Sequence, residues 1–539
     1  MRIHSTRNLL RAASGVVFAV YLFSGCGGST DSGKSQQKVF HYAHASEPKR
    51  LDPAYMYDRY EGIVSGLLFD GLVVFDSRTD IRPGLAERWD ISADGRTYTF
   101  HLRDARFSDG RPVTAADVRY SFTRILRPET NSERKWLFDE LAGAEEVAKG
   151  VAKEVSGIDT PDTRTVRITL KSAYPPFLTK LAMPNAVIIP EGSAGNDKPD
   201  PAFDSRPVGT GPWVLDKFLR DQRLEFRRNG HFWGDAPRMD RFVFHIIMNT
   251  QVQDQLFQVG NLDVYNVAFT VFADFLRDPA KKARMMPVQE LNTYFFAFMN
   301  NKPKFADKRA KQAIAHGINS KSIFENLQKG RGEQAHGPVP PGIAGYRPGI
   351  KPREYDPKLA KHLLSEAGAT GMKIDLWFSD DNQTGEFASA VKSDLAKIGV
   401  GVNLIRRDLA SVRQAIYNGE PDMYFYSWWL DYPDIENALV PCFASRNIPR
   451  AGNGSHFSNL DFDRLVAEAG AEGDPNRRIE LFQAAEDIII DECPWIFLYH
   501  QKSYYMVQPW VRNYAPPQMP NSERCEGVDI DLARKARGL

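Results

Sequence analysis

Cysteine is scarce in this chain, with four among 539 residues, which is too few for a disulfide framework. An excess of either charge is also missing. Lys and Arg total 69 against 68 Asp and Glu, a net charge of +1. No basic surplus is available to neutralise phosphates, so nucleic acid and anionic membrane surfaces are excluded as partners. There is no nucleophile elbow, His-Glu-x-x-His helix, paired Cys-x-x-Cys or Walker loop, so neither an enzyme nor a cofactor is expected. His41 and His44 stand three apart in a strand-like context and point to opposite faces, which argues against a shared metal ion. The loop Gly452–His456 has no acid spaced to orient its histidine. The apolar run Ala12–Phe23 is too short to cross ~30 Å of hydrocarbon as a helix.

The remaining composition is that of a globular protein, 42% hydrophobic and 25% charged. A chain this long exceeds what one core supports, so two or three lobes are expected. Arg2, Arg7 and Arg11 before Ala12–Phe23 form the n- and h-regions of a signal segment over residues 1–26. It ends LFSGC, which resembles a bacterial lipobox, with Cys26 as the residue to be acylated. Residues 27–37 are a Gly/Ser-rich polar tether.

Along the body, Lys38–Ala45 alternates as a strand. Ala93-Asp94-Gly95 is a turn leading to a strand with Tyr98, Phe100 and Leu102 on one face. Thr114 with Asp117 opens a helix carrying Val118, Phe122 and Ile125. Thr165–Leu170 and Ala186–Ile189 read as strands, and Gly192–Pro207 as a polar crossing between lobes. Pro207–Trp213, PVGTGPW, is a loop. Val252, Leu256 and Val259 define a helix face. From Leu291 onwards strands and helices alternate: Tyr294–Met299, helices after Asp307 and Ser320, and a helix opened by Asp356-Pro357. Then come Ile374–Phe378, a helix through Phe387–Ile398, Val402–Ile405 and a short helix at Val412–Ile416. That order implies parallel pairing with right-handed crossovers.

The next stretch is DMYFYSWWLDYPDIENALVPC, Asp422–Cys442. An aromatic strand with Tyr426, Trp428 and Trp429 ends at one carboxylate, Asp431, before the turn Tyr432-Pro433 and a second acid, Asp434. A carboxylate at an aromatic strand end suits a ligand ammonium, bound by charge-assisted hydrogen bonds and ring faces. The carboxyl end of a parallel strand is also where open α/β sheets place ligands. The structural alternative is a buried strand whose aspartate merely starts a turn.

Taken in order, LDPA (Leu51–Ala54), LLFDGL (Leu67–Leu72), PGLAERW (Pro83–Trp89), DGRTYTFHLRDARFSDGRPVTAADVRYSF, PVGTGPW, GNLD (Gly260–Asp263), FADKRAKQAIAHGI (Phe305–Ile318) and WWLDYPDIENAL resemble extracellular solute-binding proteins of family 5. These are the dipeptide- and oligopeptide-binding lipoproteins of ABC importers. The resemblance implies an α/β type II periplasmic-binding-protein fold, with two lobes joined by crossing hinge strands and a small extra domain. Lobe I would comprise 38–70, 205–289 and 503–539, the extra domain 71–204, and lobe II 290–502. It further implies an extracytoplasmic monomer, lipid-anchored at Cys26, that captures short peptides between its lobes and hands them to a permease in the cytoplasmic membrane. In that family the acid of the W-x-x-D block, here Asp431 after Trp428, takes the ligand ammonium while the preceding strand pairs with the ligand backbone. Tyr57 and Asp58 match a cleft-lining stretch.

One position departs from the pattern. Where some oligopeptide receptors carry an arginine six residues before the key aspartate, this chain has Phe425. A carboxylate clamp must come from elsewhere, with Arg406, Arg407 and Arg413 as candidates. Non-peptide ligands of the same fold (a nickel chelate, an oligosaccharide, an opine) and a repurposed adhesion or scaffold role are the alternatives. Of the cysteines left after lipidation, Cys442 and Cys493 fall in one lobe and are the expected pair, leaving Cys525.

Overall fold

The computed structural model describes residues 36–195, 198–449 and 452–538. The signal segment, Cys26 and most of the tether lie outside them. Three sheets organise the described residues. The first has the order Val39–His44, Arg241–Ile246, Arg223–Arg228, Trp213–Leu219, with the N-terminal strand parallel to its neighbour and the others antiparallel. The second is an antiparallel sheet of Ala86–Ile91, Thr97–Leu102, Thr165–Thr169 and Ile158–Asp162. Its strand Thr97–Leu102 buries Tyr98, Phe100 and Leu102, the face read from the alternation. The helix Ala115–Leu126 starts as expected, in a capping box of Thr114 and Asp117.

The third sheet has eight strands and is built around Trp495–Val507, thirteen residues long. One half of that strand pairs with Asn292–Phe298 and Gly332–Gln334, the other with Met286–Gln289 and Val264–Asn266. Met286–Gln289 runs almost directly into Asn292–Phe298, so two chain passes cross together at Glu290–Leu291 and Gln501–Ser503. Glu290 is buried there; its amide donates to the Gln501 carbonyl, and it accepts from the Ser503 hydroxyl.

Met423–Trp429 lies parallel to Lys373–Ser379, which is parallel to Gly401–Arg407. Its other neighbour, Asn292–Phe298, is antiparallel, pairing Asn292 with Trp429 and Phe298 with Met423. The parallel pairing expected of the strand–helix–strand order holds for these three strands, and the antiparallel Asn292–Phe298 makes the whole sheet mixed. Asn292–Phe298 follows Met286–Gln289 across the crossing rather than a helix, so no right-handed βαβ connection governs its direction.

Two local readings also change, and a third gains a detail. Ala186–Ile189 makes a single bridge, Val187 to Gly71, and is not a strand. Gly192–Pro207 contains a helical turn, Pro201–Ser205, and its buried Asp204 accepts from the amides of Leu51 and Asp52. The helix Thr250–Gln258 turns its valines outward, with Val252 and Val259 39% and 70% exposed, and buries Gln253 and Phe257 instead. The Gln253 amide donates to the Ile247 carbonyl at 2.6 Å, which stabilises that rotation.

Cys442, Cys493 and Cys525 are all buried and free, so the expected Cys442–Cys493 bond is absent. Each sits in a different apolar cluster: Cys442 with Phe443 and Phe462, Cys493 with Phe298 and Ile496, Cys525 with Trp213 and Val528.

Candidate functional site

The site begins at the turn after Leu51. Four side chains from elsewhere fix residues 52–57. Arg124 pairs both guanidinium ends with Asp52, at 2.7 and 2.6 Å. The Ser132 hydroxyl donates to the Ala54 carbonyl at 2.6 Å, and the Asn185 amide to the carbonyls of Pro53 and Met56. Arg134 donates to the Met56 and Tyr57 carbonyls, at 3.4 and 2.8 Å. The helix Arg59–Leu68 then starts in a capping box, with Asp58 accepting from the Tyr60 and Glu61 amides at 2.9 Å each.

Opposite this turn stands the end of the aromatic strand. Asn437, on the helix Ile435–Phe443, accepts on its side-chain oxygen from the Asp431 amide and on its carbonyl from the Trp428 indole, both at 2.8 Å. Asp434 caps the same helix and is paired with Arg478 at 2.8 and 3.1 Å, a structural use of the second acid.

Between the two walls lies a cavity of about 250 Å³. Tyr57, Asp58, Arg59 and Arg134 line one side, Trp429, Leu430 and Asp431 another, with Asn185, Glu290 and Gln518 completing it. This volume falls below the ~300–1,000 Å³ of pockets for drug-sized ligands, so as it stands the space suits a small one. The Asp431 carboxylate is 30% exposed and meets the Arg134 guanidinium at 3.2 Å. Burial pushes its pKa above the ordinary value, while Arg134 pulls it back down. A second pair, Arg59 with Glu290 at 3.3 Å, closes the crossing side.

Of the residues singled out in the sequence, Asp431, Trp429, Tyr57 and Asp58 come together on this cavity. Trp429 is 40% exposed beside Asp431, and the Tyr57 ring lies under the Arg134 guanidinium at 4.6 Å. Asp58 lines the space but spends one oxygen on its helix cap. Trp428 and Tyr426 are not on it. Trp428 is turned to Asn437 and the core, and the Tyr426 hydroxyl accepts from Arg413 at 3.3 Å. The candidate clamp arginines do not line it either. Arg413 is on Tyr426, Arg406 on the Asp380 carbonyl, and Arg407 near the Trp377 ring. The cavity's arginines are Arg59 and Arg134, which no motif marked. Arg134 stands in the turn before Lys135–Phe138, where only the tertiary fold brings it to Asp431.

Among the described residues no group of three or more His, Cys, Asp or Glu side chains is placed to hold a metal ion. His41 meets His245 at 3.1 Å, and His44 stacks on Phe244. No described helix is long and apolar enough to cross a membrane.

The family described as bacterial extracellular solute-binding proteins, family 5 Middle, matches residues 80–450. The chain belongs to this family. Family 5 relatives match it along nearly their whole length. The heme-binding protein A of Haemophilus influenzae is 31% identical over 529 residues, covering 93% of this chain and 94% of that one. The dipeptide-binding protein of Escherichia coli is 28% identical over 520 residues, covering 92% and 95%. Among solved structures, HbpA2 from Haemophilus parasuis superposes with a TM-score of 0.79 at 26% identity, over 92% of this chain and all of that one. The α/β architecture is the type II periplasmic-binding-protein fold. Family 5 is a family of solute-binding proteins rather than of enzymes.

Proposed function

We propose that this chain is the substrate-binding component of an ABC importer that captures short peptides and delivers them to a permease in the cytoplasmic membrane. The observation that carries this reading is the Asp431 carboxylate, part-exposed on a small cavity, with one oxygen on Arg134 and the other without a donor among the described residues. A ligand ammonium would bond that second oxygen, with the Trp429 ring beside it. The relative named as a dipeptide-binding protein supports a peptide as ligand. The protein works as an extracytoplasmic monomer held to the membrane by lipid at Cys26. Its lobes divide at residues 70/71, 204/205, 289/290 and 502/503, and capture proceeds by rotation of the lobes about the paired crossings.

The test is a thermal-shift titration of protein starting at Lys38 with a pool of short peptides and the same pool N-acetylated. A ligand at ~100 times its dissociation constant adds about 2.7 kcal/mol of stability. Free peptides are expected to shift the melt and acetylated ones not. Asp431→Ala is expected to weaken binding by about one to two decades, the worth of one charge-assisted hydrogen bond. Equal shifts with both pools would remove Asp431 from the ammonium role. A shift with haem and with neither pool would replace the peptide by the ligand named for the H. influenzae relative.

A further inference from the structure

A second, larger cavity lies within the span read as lobe II and shares no residue with the first. Its volume is about 480 Å³, inside the ~300–1,000 Å³ of ligand pockets. Part of its wall is the start of the long strand, where Trp495, Ile496 and Phe497 all line it. Successive strand residues turn to opposite faces, so a space that all three line lies along the strand's edge. One edge is occupied: Asn292–Phe298 pairs with these residues, and the Phe298 amide donates to the Pro494 carbonyl. By alternation Ile496 turns its backbone to that neighbour, while Trp495 and Phe497 turn theirs to the other edge. On that edge Gly332–Gln334 pairs only as far as Tyr499, and the Ala335 amide reaches the Leu498 carbonyl. The chain then leaves the sheet at His336 and enters GPVPP, whose prolines have no N–H for a ladder. Among the described residues no strand pairs with this edge of Trp495–Phe497, and the Trp495 carbonyl has the Cys493 thiol at 3.8 Å as a weak donor.

Charge adds to the open edge. Lys351 and Arg353 line the cavity and form no ion pair among the described residues, and Glu354 is the one acid beside them. Arg353 spends one nitrogen on the Ile490 carbonyl at 2.8 Å and keeps the rest of its fork. Lys351 is exposed. His316 is tied through Nδ1 to the Glu354 carbonyl at 2.7 Å, and burial lowers the pKa of His336, which leaves that ring neutral at pH 7. An open strand edge takes an extended backbone, and two unpaired cations on the same cavity take a carboxylate. We propose that this cavity is a second binding site, which holds the carboxyl end of a short extended peptide as a strand added to Trp495–Phe497, with its terminal carboxylate on Arg353 and Lys351. Three residues of edge span about 10 Å, so a tripeptide fills it. No α-amino group is required, which separates this site from the ammonium-binding cavity at Asp431. Its dissociation constant is about 1 mM, because so short an edge supplies few hydrogen bonds against the cost of association. At about 0.1 mM, a hundredfold excess over a micromolar cleft, it is only about one-tenth filled, and acetylated peptides at that level leave the melt unmoved.

The probe is acetyl-Val-Thr-Val with a free carboxylate, titrated by ligand-observed saturation-transfer NMR against protein starting at Lys38. Saturable binding at about 1 mM is expected. The same peptide ending in an amide should bind about fivefold more weakly, a comparison that needs no variant to fold. N-methylation should divide the probe's amides into two alternating sets: at those facing the edge it abolishes binding, at the others it leaves binding intact. Lys351→Glu, at an exposed side chain without an ion pair, should weaken the acid form by about fivefold or more. A pool of unblocked peptides at about 0.1 mM should not displace the probe. Absence of saturable binding up to about 10 mM overturns the inference. Equal binding of acid and amide overturns the carboxylate role, and equal effects of N-methylation at every amide overturn the added strand; either result sinks the site as described. Displacement by the unblocked pool overturns it too, since the probe would then occupy the cavity at Asp431. None of these results bears on the peptide-receptor reading of that cavity, which its own titration tests.

Discussion

Arg124 and Asp52 offer a direct measure of what holds the binding turn in place. Their side chains are 3% and 0% exposed and share two charge-assisted hydrogen bonds. Asp52 also accepts from the Ala54 amide, starting the turn that leads to Tyr57. Arg124→Met keeps most of the side chain's bulk but leaves a buried carboxylate without its counter-charge, a change that costs about 3–5 kcal/mol. For ~500 ordered residues the unfolding entropy near 60 °C is about 1 kcal/mol/K, so the melting temperature should fall by about 3–5 °C. The double variant Asp52→Asn, Arg124→Met removes both charges while Asn keeps an oxygen for the Ala54 amide. It should recover most of that loss, because a neutral pair has no uncompensated charge. Differential scanning calorimetry of the single and double variants is the assay. A loss under about 1 °C for Arg124→Met, or a double variant no better than the single, would refute the argument that this pair matters through an unmatched charge.

Other consequences can be checked in the same way. Burial lifts the pKa of Glu523 from 4.5 to about 7, although the Tyr514 hydroxyl donates to it at 2.8 Å. A carboxyl whose folded pKa lies above its unfolded value contributes stability below about pH 4.5 and loses it as the pH rises to about 7, here up to about 3 kcal/mol. Glu523→Gln should therefore gain on the unmutated protein by about 3 °C between pH 4.5 and 8; parallel melting curves would contradict this. A methyl group at Gly66 would stand 2.2 Å from the Asn521 carbonyl oxygen, whereas one at Gly470 meets nothing within 4 Å. Gly66→Ala should lower the melting temperature by about 1–3 °C, and Gly470→Ala should leave it unchanged or raise it. With all three described cysteines buried and free, a thiol reagent should label none in the native protein starting at Lys38 and three in denaturant.

Legibility in the sequence followed the range of the forces involved. Local signals were readable: the alternation of Thr97–Leu102, the Thr114–Asp117 capping box and the cap at Asp356 all appear where the pattern placed them. Signals that depend on distant partners were not. The direction of Asn292–Phe298 follows from a crossing that joins it to Trp495–Val507, two hundred residues away along the chain. Gln253 beats Val252 for the interior because the Ile247 carbonyl waits there. In the candidate site, Asp431 and Trp429 carried a local signature, a carboxylate closing an aromatic strand. Arg134 carried none, since a lone arginine in a polar turn looks like any solvated charge until the fold sets it on Asp431.

The N-terminal strand has a consequence for how the chain is made. Val39–His44 finds its ladder partner at Arg241–Ile246, and Lys38 finds Asp529, 491 positions further on. The buried Trp213 indole likewise waits for the Arg524 carbonyl. At synthesis rates of ~5–20 residues per second, the first strand emerges some 25–100 s before the residues that complete its surroundings. Long-range pairing of this kind is also slow to form once every residue is present. A newly made chain thus lacks some of the partners of its leading end for about 25–100 s. That interval keeps the leading end threadable, which any passage through a narrow pore before folding would require.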